Sequence, residues 1–179
     1  AHSNLGITLH GLGRLDEAEE SYQRAIALQP DYAEAHYNLG ITLQEQERFE
    51  EAEVSYNQAI ALIPSYAEAH NNLGVVLQEL GRFVEAKASY NKAIELVPDK
   101  AEAHNNLGIT LHGLGRLNEA EASYNQAIVL MPDYAEAHSS LGVTLQELGR
   151  LVEAEASYNR AISLKSDYAE AHSNLGVLL

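Results

Sequence analysis

The chain has 179 residues and a formal net charge of −15, and it contains no cysteine. The lack of cysteine excludes disulfides, thiolate metal sites and a cysteine nucleophile. The negative charge argues against nucleic acid and anionic membrane surfaces, because Lys and Arg supply most of the affinity for phosphates. A neutral or basic partner is easier to accommodate, although acidic helix faces also keep a long chain soluble. No apolar run reaches the roughly 18 residues of a membrane helix and no signal peptide opens the sequence, which favours a cytoplasmic location.

One sequence pattern recurs with a period of 34 residues. The stretch Ala101–Gly108 reads A-E-A-H-N-N-L-G, and related copies begin at Ala33, Ala67, Ala135 and Ala169. A fixed period without insertions indicates a stacked repeat protein. Because the sequence opens and closes inside a repeat, we expect it to be part of a longer array. We predict a single array over 1–179, with repeats at 1–32 (lacking its first two residues), 33–66, 67–100, 101–134 and 135–168, and the first helix of a truncated sixth repeat at 169–179.

Each repeat is predicted to begin with a helix, called helix A. In the repeat 101–134, Ala103, Leu107 and Leu111 form one apolar stripe, and the helix is expected to reach about Leu114. An acid or serine precedes each later helix A and a glutamate follows three residues on, which is the spacing of a capping box. These pairs are Asp31/Glu34, Ser65/Glu68, Asp99/Glu102, Asp133/Glu136 and Asp167/Glu170.

A short turn and a second helix, called helix B, complete the repeat. Gly115 is predicted to end helix A in a left-handed conformation, and Glu47 replaces this glycine in the second repeat. Helix B is predicted over 117–130 and ends before Pro132. Its inward-facing residues are Ala120, Tyr124, Ala127 and Ile128. Short turns make neighbouring helices antiparallel, and small residues let them approach closely, so we expect an all-α chain of about eleven helices.

These residues resemble the signature of the tetratricopeptide repeat family. His and Leu stand where that signature has Trp and Tyr, whereas Leu-Gly, Ala and Pro match in register. The matching run in one repeat is His104, Leu107, Gly108, Leu111, Ala120, Tyr124 and Pro132. The resemblance implies a right-handed superhelix, an α-solenoid of 34-residue helix-turn-helix repeats, with helices A lining its concave face.

Asparagine recurs at one helix A position that is expected to face this groove. A side-chain amide offers both a donor and an acceptor to a peptide unit. If helices A stack about 10 Å apart, one asparagine meets about every third residue of an extended peptide. The ladder is similar to the asparagine-lined groove in the repeats of O-linked N-acetylglucosamine transferases. The predicted peptide-binding residues are Asn4, Asn38, Asn72, Asn106, Ser140 and Asn174 of the ladder, their neighbours Tyr37, Asn71 and Asn105, and Gln44, Gln78 and Gln146 lower on the same face.

Other kinds of site are not expected. The repeated histidines occur once per repeat, too far apart to share a metal ion, and stand where the family packs a tryptophan between helices A and B. Basic residues fall in the A–B turns and on helix B, so no clamp for an acidic carboxylate is expected in the groove. Every Ser, His and Glu has a periodic, structural explanation, and we predict no enzyme activity, no cofactor and no metal.

The sequence therefore predicts a protein–protein interaction scaffold that binds an extended, neutral to basic peptide. Two alternatives remain open. The array is a structural module that self-associates end to end through apolar residues such as Leu175, Leu178 and Leu179, giving a homo-oligomer. Or it is the substrate-recruiting arm of an enzyme whose catalytic domain lies outside this sequence.

Overall fold

The computed structural model describes residues 2–178 and folds them into α-helices without a strand. This confirms the predicted all-α fold class. None of the helices in this part of the chain is long and apolar enough to cross a membrane. The helices are α1 (His2–Gly11), α2 (Leu15–Leu28), α3 (Ala33–Glu45), α4 (Phe49–Leu62), α5 (Ala67–Glu79), α6 (Phe83–Leu96), α7 (Ala101–Gly113), α8 (Leu117–Leu130), α9 (Ala135–Glu147), α10 (Leu151–Leu164) and α11 (Ala169–Leu178).

The helices form two compact units. Unit 1 ends at Leu96 and contains α1–α6, and unit 2 begins at Val97 and contains α7–α11. Within each unit the odd-numbered helices are helices A and the even-numbered helices are helices B. Each helix A packs on the helix B that follows it, and that helix B packs on the next helix A. Helices A of successive repeats also touch each other, as α3 and α5 do in unit 1 and α7 and α9 do in unit 2.

A glycine on helix A and a tyrosine on helix B set the close packing of each helix pair. A Cβ added to Gly108 would lie 2.6 Å from the ring of Tyr124, and one added to Gly40 would lie 2.7 Å from the ring of Tyr56. Both tyrosine rings are buried, so they have little room to move away. The prediction that small residues allow close helix approach is confirmed. The tyrosine ring lies where the side chain of a larger residue would be.

The A–B turns have the predicted left-handed residue. The backbone N–H of Arg116 donates to the carbonyl of Leu111 (2.9 Å), and that of Gly115 donates to His112 (2.8 Å), which is a Schellman ending. Gly115 has a φ of 71°. Glu47 adopts a φ of 58° at the equivalent place, so the turn keeps its geometry at the cost of a strained non-glycine residue.

The predicted capping boxes are wrong. Helix α7 begins at Ala101, so its N-cap is Lys100 and Asp99 lies one residue too early to cap it. Lys100 makes no side-chain cap hydrogen bond, and neither do Tyr32, Tyr66 and Tyr134 at the N-caps of α3, α5 and α9.

From α3 onward, the repeated histidine ties helix A to the segment before it instead. Nε2 of His104 lies 2.9 Å from the carbonyl oxygen of Pro98. Because a carbonyl only accepts, Nε2 carries the proton. The equivalent pairs are His36–Pro30, His70–Pro64, His138–Pro132 and His172–Ser166. These histidines therefore have a structural role at the repeat boundary.

The arginine of the A–B turn joins neighbouring repeats. In unit 1, Arg82 donates to Glu85 on its own helix (2.6 and 2.8 Å) and to Glu53 on α4 (2.6 Å). In unit 2, Arg150 likewise donates to Glu153 on its own helix and to Glu121 on α8, where it contacts both carboxylate oxygens. Both units thus use one arrangement of ion pairs on the side of the turns.

Candidate functional site

In each unit, the predicted groove residues lie mostly on a half-exposed surface of helices A, which we call the helix-A face. The ladder asparagines Asn38, Asn72 and Asn106 are half-buried there. Asn4 is exposed on α1, and Asn174 is half-buried on α11. The helix-A face comprises Asn38, Ile41, Gln44, Asn72, Val75 and Gln78 in unit 1, and Asn106, Ile109, His112, Ser140, Val143 and Gln146 in unit 2.

Three other predicted residues lie deeper than the ladder or beside it. Asn71 is 7% exposed and Asn105 is 4% exposed, and the Oδ1 atom of each has no hydrogen-bond partner within residues 2–178. Tyr37 is half-buried. At Asn71 and Asn105, the position that precedes the ladder asparagine is therefore buried rather than open to solvent.

Tyr37 forms the centre of an aromatic cluster in unit 1. Its ring centroid lies 4.8 Å from that of Tyr66 and 5.9 Å from that of Tyr56. Asn72 donates from Nδ2 to the Tyr37 hydroxyl (3.1 Å), and Asn71 donates to Oδ1 of Asn72 (3.2 Å). Burial raises the pKa of Tyr37, and nearby Glu68 adds to the shift, so the phenol stays neutral at physiological pH. Tyr37 is a predicted peptide-binding residue, but other side chains of the same chain already cover part of its ring.

Unit 2 has a cavity of about 420 Å³ in the corresponding region, which we call the tyrosine pocket. It is formed by α7, α8, α9 and α11 and by the tyrosines that precede the last two helices. Burial, Glu102 and Glu136 raise the pKa of Tyr134, so its hydroxyl remains a neutral hydrogen-bonding group. The pocket is lined by Asn105, Ile109, His112, Tyr124, Tyr134, Glu136, Ser140, Val143, Tyr168 and Glu170.

A smaller cavity of about 90 Å³ lies on the helix-A face of unit 1. It is lined by Ile7, His10, Tyr22, Asn38 and Ile41. Three repeats later in the sequence, the same register positions hold Ile109, His112, Tyr124, Ser140 and Val143, all of which line the tyrosine pocket. The two units therefore bring equivalent side chains together on this face.

Sequence reasoning missed several residues of this site. Tyr134 and Tyr168 are not among the predicted binding residues, yet both line the tyrosine pocket. His112 also forms a contact of 3.0 Å from Nε2 to Glu147. The repeat register could have pointed to both the tyrosines and the His–Glu contact. A tyrosine precedes most helices A, and a second His–Glu pair occurs at His10 and Glu45 (3.2 Å). No group of three or more potential metal ligands is found within residues 2–178.

The residues named for end-to-end association lie on α11. Leu175 and Leu178 are half-buried near its end, and Val177 is 76% exposed. Leu179 lies outside the described residues. Self-association through this end remains a prediction.

Solved structures with this fold match nearly the whole chain. YrrB, described as a TPR protein with an unusual peptide-binding site, is 25% identical with a TM-score of 0.82 over 96% of this chain and 89% of its own. TTC0263 from Thermus thermophilus, a thermophilic TPR protein, is 27% identical with a TM-score of 0.73 over 99% of this chain and 96% of its own. A MamA structure from Desulfovibrio magneticus is 19% identical with a TM-score of 0.87, over 94% of this chain and 95% of its own.

Sequence comparison supports the same assignment. No curated protein matches this chain significantly. A family model described as the tetratricopeptide repeat matches residues 1–65, 65–133 and 104–167. Together with the paired helices and the packing of glycine against tyrosine, this match shows that the chain belongs to the tetratricopeptide repeat family, whose all-helical solenoids are protein-interaction scaffolds.

Proposed function

We propose that the helix-A face binds an extended, neutral to basic peptide segment through its asparagine and glutamine side chains. The observation that carries this proposal is the recurrence of equivalent cavities in both units. In unit 1 the ladder residue Asn38 lines such a cavity, and in unit 2 its counterpart Ser140 does so. YrrB, described as having a peptide-binding site, supports peptide binding as the general mode.

The chemistry of the face suits the backbone of a peptide. Asn38 and Asn106 are half-exposed, and an amide side chain can donate to a peptide carbonyl and accept from a peptide N–H. Ile41 and Ile109 lie one helical turn further and offer apolar contacts to side chains of the peptide. Exposed glutamates at the start of the helices A from α3 onward, such as Glu68 and Glu136, favour a peptide that is not acidic.

The test is selection from a random peptide library on three forms of the protein. The first is the parent, the second carries Asn38→Ala, Asn72→Ala and Asn106→Ala, and the third is a matched control. The control carries Asn57→Ala, Asn91→Ala and Asn125→Ala, which are exposed helix B asparagines of the same three repeats.

We expect the parent and the helix B control to retain the same peptides. The helix A variant should bind them roughly a hundredfold more weakly, because three lost hydrogen bonds at about 1 kcal/mol each correspond to about 3 kcal/mol. Equal retention by the helix A variant, or no enriched peptide on the parent, would contradict the proposal.

A further inference from the structure

Unit 1 contains a phenol at a place where unit 2 has a cavity. Asn105 occupies the register position of Tyr37, two repeats later in the sequence. The surroundings correspond as well, since Tyr124 and Tyr134 of unit 2 match the Tyr56 and Tyr66 that flank the Tyr37 ring. Both of these unit 2 tyrosines line the tyrosine pocket. The space that the Tyr37 ring fills in unit 1 is therefore open in unit 2.

The lining of the pocket includes a residue whose acceptor has no donor among the described residues. Asn105 lines the pocket and is only 4% exposed, and its Oδ1 has no hydrogen-bond partner within the described residues. A buried acceptor that is left unpaired is unfavourable. A ligand that brings an O–H or N–H group to this atom therefore gains a hydrogen bond that the free protein does not make.

The walls of the pocket suit an aromatic ring. Tyr124 and Tyr134 provide ring surfaces, and Ile109 and Val143 provide apolar contacts. Aromatic rings prefer offset or tilted contacts of the kind that Tyr37 makes with Tyr66, which are inclined by 35°. The volume of about 420 Å³ falls within the roughly 300–1,000 Å³ of small-ligand sites.

The rim of the pocket is acidic. Glu136 and Glu170 line it, and Lys165 lies 3.7 Å from Glu136 and 5.1 Å from the ring centre of Tyr168. Lys165 thus offsets part of the charge of Glu136 and leaves that of Glu170. His112, the other titratable group of the lining besides the tyrosines, contacts Glu147. The remaining negative charge at the rim favours a ligand that carries a positively charged group next to its aromatic ring.

We propose that the tyrosine pocket is a specificity site for a tyrosine side chain carried next to a positively charged group, in the peptide that the helix-A face holds. A side chain that enters from solvent places its hydroxyl deepest, where the phenol O–H donates to Oδ1 of Asn105. This proposal deepens the peptide-binding function and rests on it.

The first measurement uses three small probes and needs no peptide. Tyramine carries the phenol and an ammonium group, phenethylamine lacks the hydroxyl, and 3-(4-hydroxyphenyl)propionate carries the opposite charge. Binding is followed by two-dimensional NMR, with the backbone and side-chain amide signals of Asn105 and the backbone signal of Ser140 as reporters.

Tyramine should shift these signals. It should bind about fivefold more tightly than phenethylamine, because its hydroxyl adds one hydrogen bond. It should bind about threefold more tightly than the propionate, because the rim charge acts through solvent. Absence of shifts at the pocket, or equal binding of tyramine and either of the other probes, would overturn the proposal.

Two variants of Asn105 test the open space and the acceptor separately, since one fills the pocket and the other removes only the acceptor. Asn105→Tyr supplies the phenol in the way that Tyr37 does and should block tyramine, while Asn125→Tyr on the exposed side of α8 should not. Asn105→Leu keeps the pocket open but removes the acceptor, so tyramine should lose its advantage over phenethylamine. Unchanged tyramine binding in Asn105→Tyr, or an unchanged ratio in Asn105→Leu, would overturn the assignment.

The probes also distinguish this proposal from the proposed function. If the helix-A face binds no peptide, the library selection fails while tyramine still reports on the pocket. If only the specificity proposal is wrong, peptides are enriched but Asn105→Tyr leaves their aromatic preference unchanged. Loss of a selected tyrosine from the enriched sequences in Asn105→Tyr, with binding of other peptides retained, is the expected result.

Discussion

In unit 1 the ring of Tyr37 packs 4.8 Å from that of Tyr66, whereas in unit 2 the equivalent residue is Asn105 and a cavity of about 420 Å³ lies beside Tyr134. The helices that carry Tyr37 and Asn105, α3 and α7, have the same length and each packs on the helix B that follows it. The two places differ at the residue before the ladder asparagine, and also at Gln44 against His112 and at Asn72 against Ser140. A repeat protein can therefore change its helix-A face by a few side chains, because each repeat keeps its own helix packing.

The largest expected effect comes from the glycine that both units share. Gly108→Ala or Gly40→Ala would drive a Cβ into a buried tyrosine ring, and we expect a loss of about 3 kcal/mol in the free energy of unfolding. Urea denaturation measures the change. Since Tyr124 also lines the tyrosine pocket, Gly108→Ala should weaken tyramine binding as well.

Gly176 provides the matched control for this prediction. It occupies the same register position as Gly108, but within residues 2–178 no atom beyond its chain neighbours and its own helix backbone lies within 4 Å of the Cβ that alanine would add. Gly176→Ala should therefore leave stability unchanged or raise it by up to about 1 kcal/mol, through the better helix propensity of alanine. If Gly108→Ala were as stable as Gly176→Ala, the explanation of the packing would be wrong.

A smaller effect is expected when unit 1 is made to resemble unit 2. Tyr37→Asn removes the ring contacts with Tyr56 and Tyr66 and should lower stability by about 1–2 kcal/mol. It should also open a second site for tyramine, reported by the NMR signals of Tyr66 and Asn72. Thermal unfolding and the probe titration test the two effects separately.

Tyr37→Phe is the control for this change. It keeps the ring but loses the hydrogen bond from Asn72, so unit 1 should stay closed to tyramine and lose less stability than Tyr37→Asn does. A Tyr37→Asn protein that binds tyramine only at the unit 2 pocket would show that the two units are not equivalent in this respect.

The smallest effect should be the same in both units. Glu53→Gln and Glu121→Gln each remove the negative charge that a turn arginine pairs with on the preceding helix B. We expect equal, small decreases in melting temperature, which vanish at about 1 M salt because these pairs are partly exposed. Glu50→Gln, at an exposed position of α4, is the control and should change little. Unequal decreases would mean that the units differ beyond the helix-A face.

Periodicity and local chemistry explain which predictions were correct. The stripe of Ala103, Leu107 and Leu111 predicted helix A, and Gly115 predicted its left-handed end, because both depend on residues close in the sequence. The capping box failed because α7 begins two residues after Asp99, and a cap tolerates no such displacement. The ladder asparagines remain predicted ligand contacts until binding is measured.

The sequence by itself determined the period, the helices, the turns and the side of helix A that stays accessible, since hydrogen bonds and apolar spacing within one repeat specify them. Only the tertiary structure decided that Tyr37 fills its surroundings while Asn105 leaves a pocket with an unpaired acceptor. Both residues have the same place in the repeat, so their sequence environment does not distinguish them. One difference between them is the size of this side chain relative to the space between helices of successive repeats, and that space exists only after the repeats have packed.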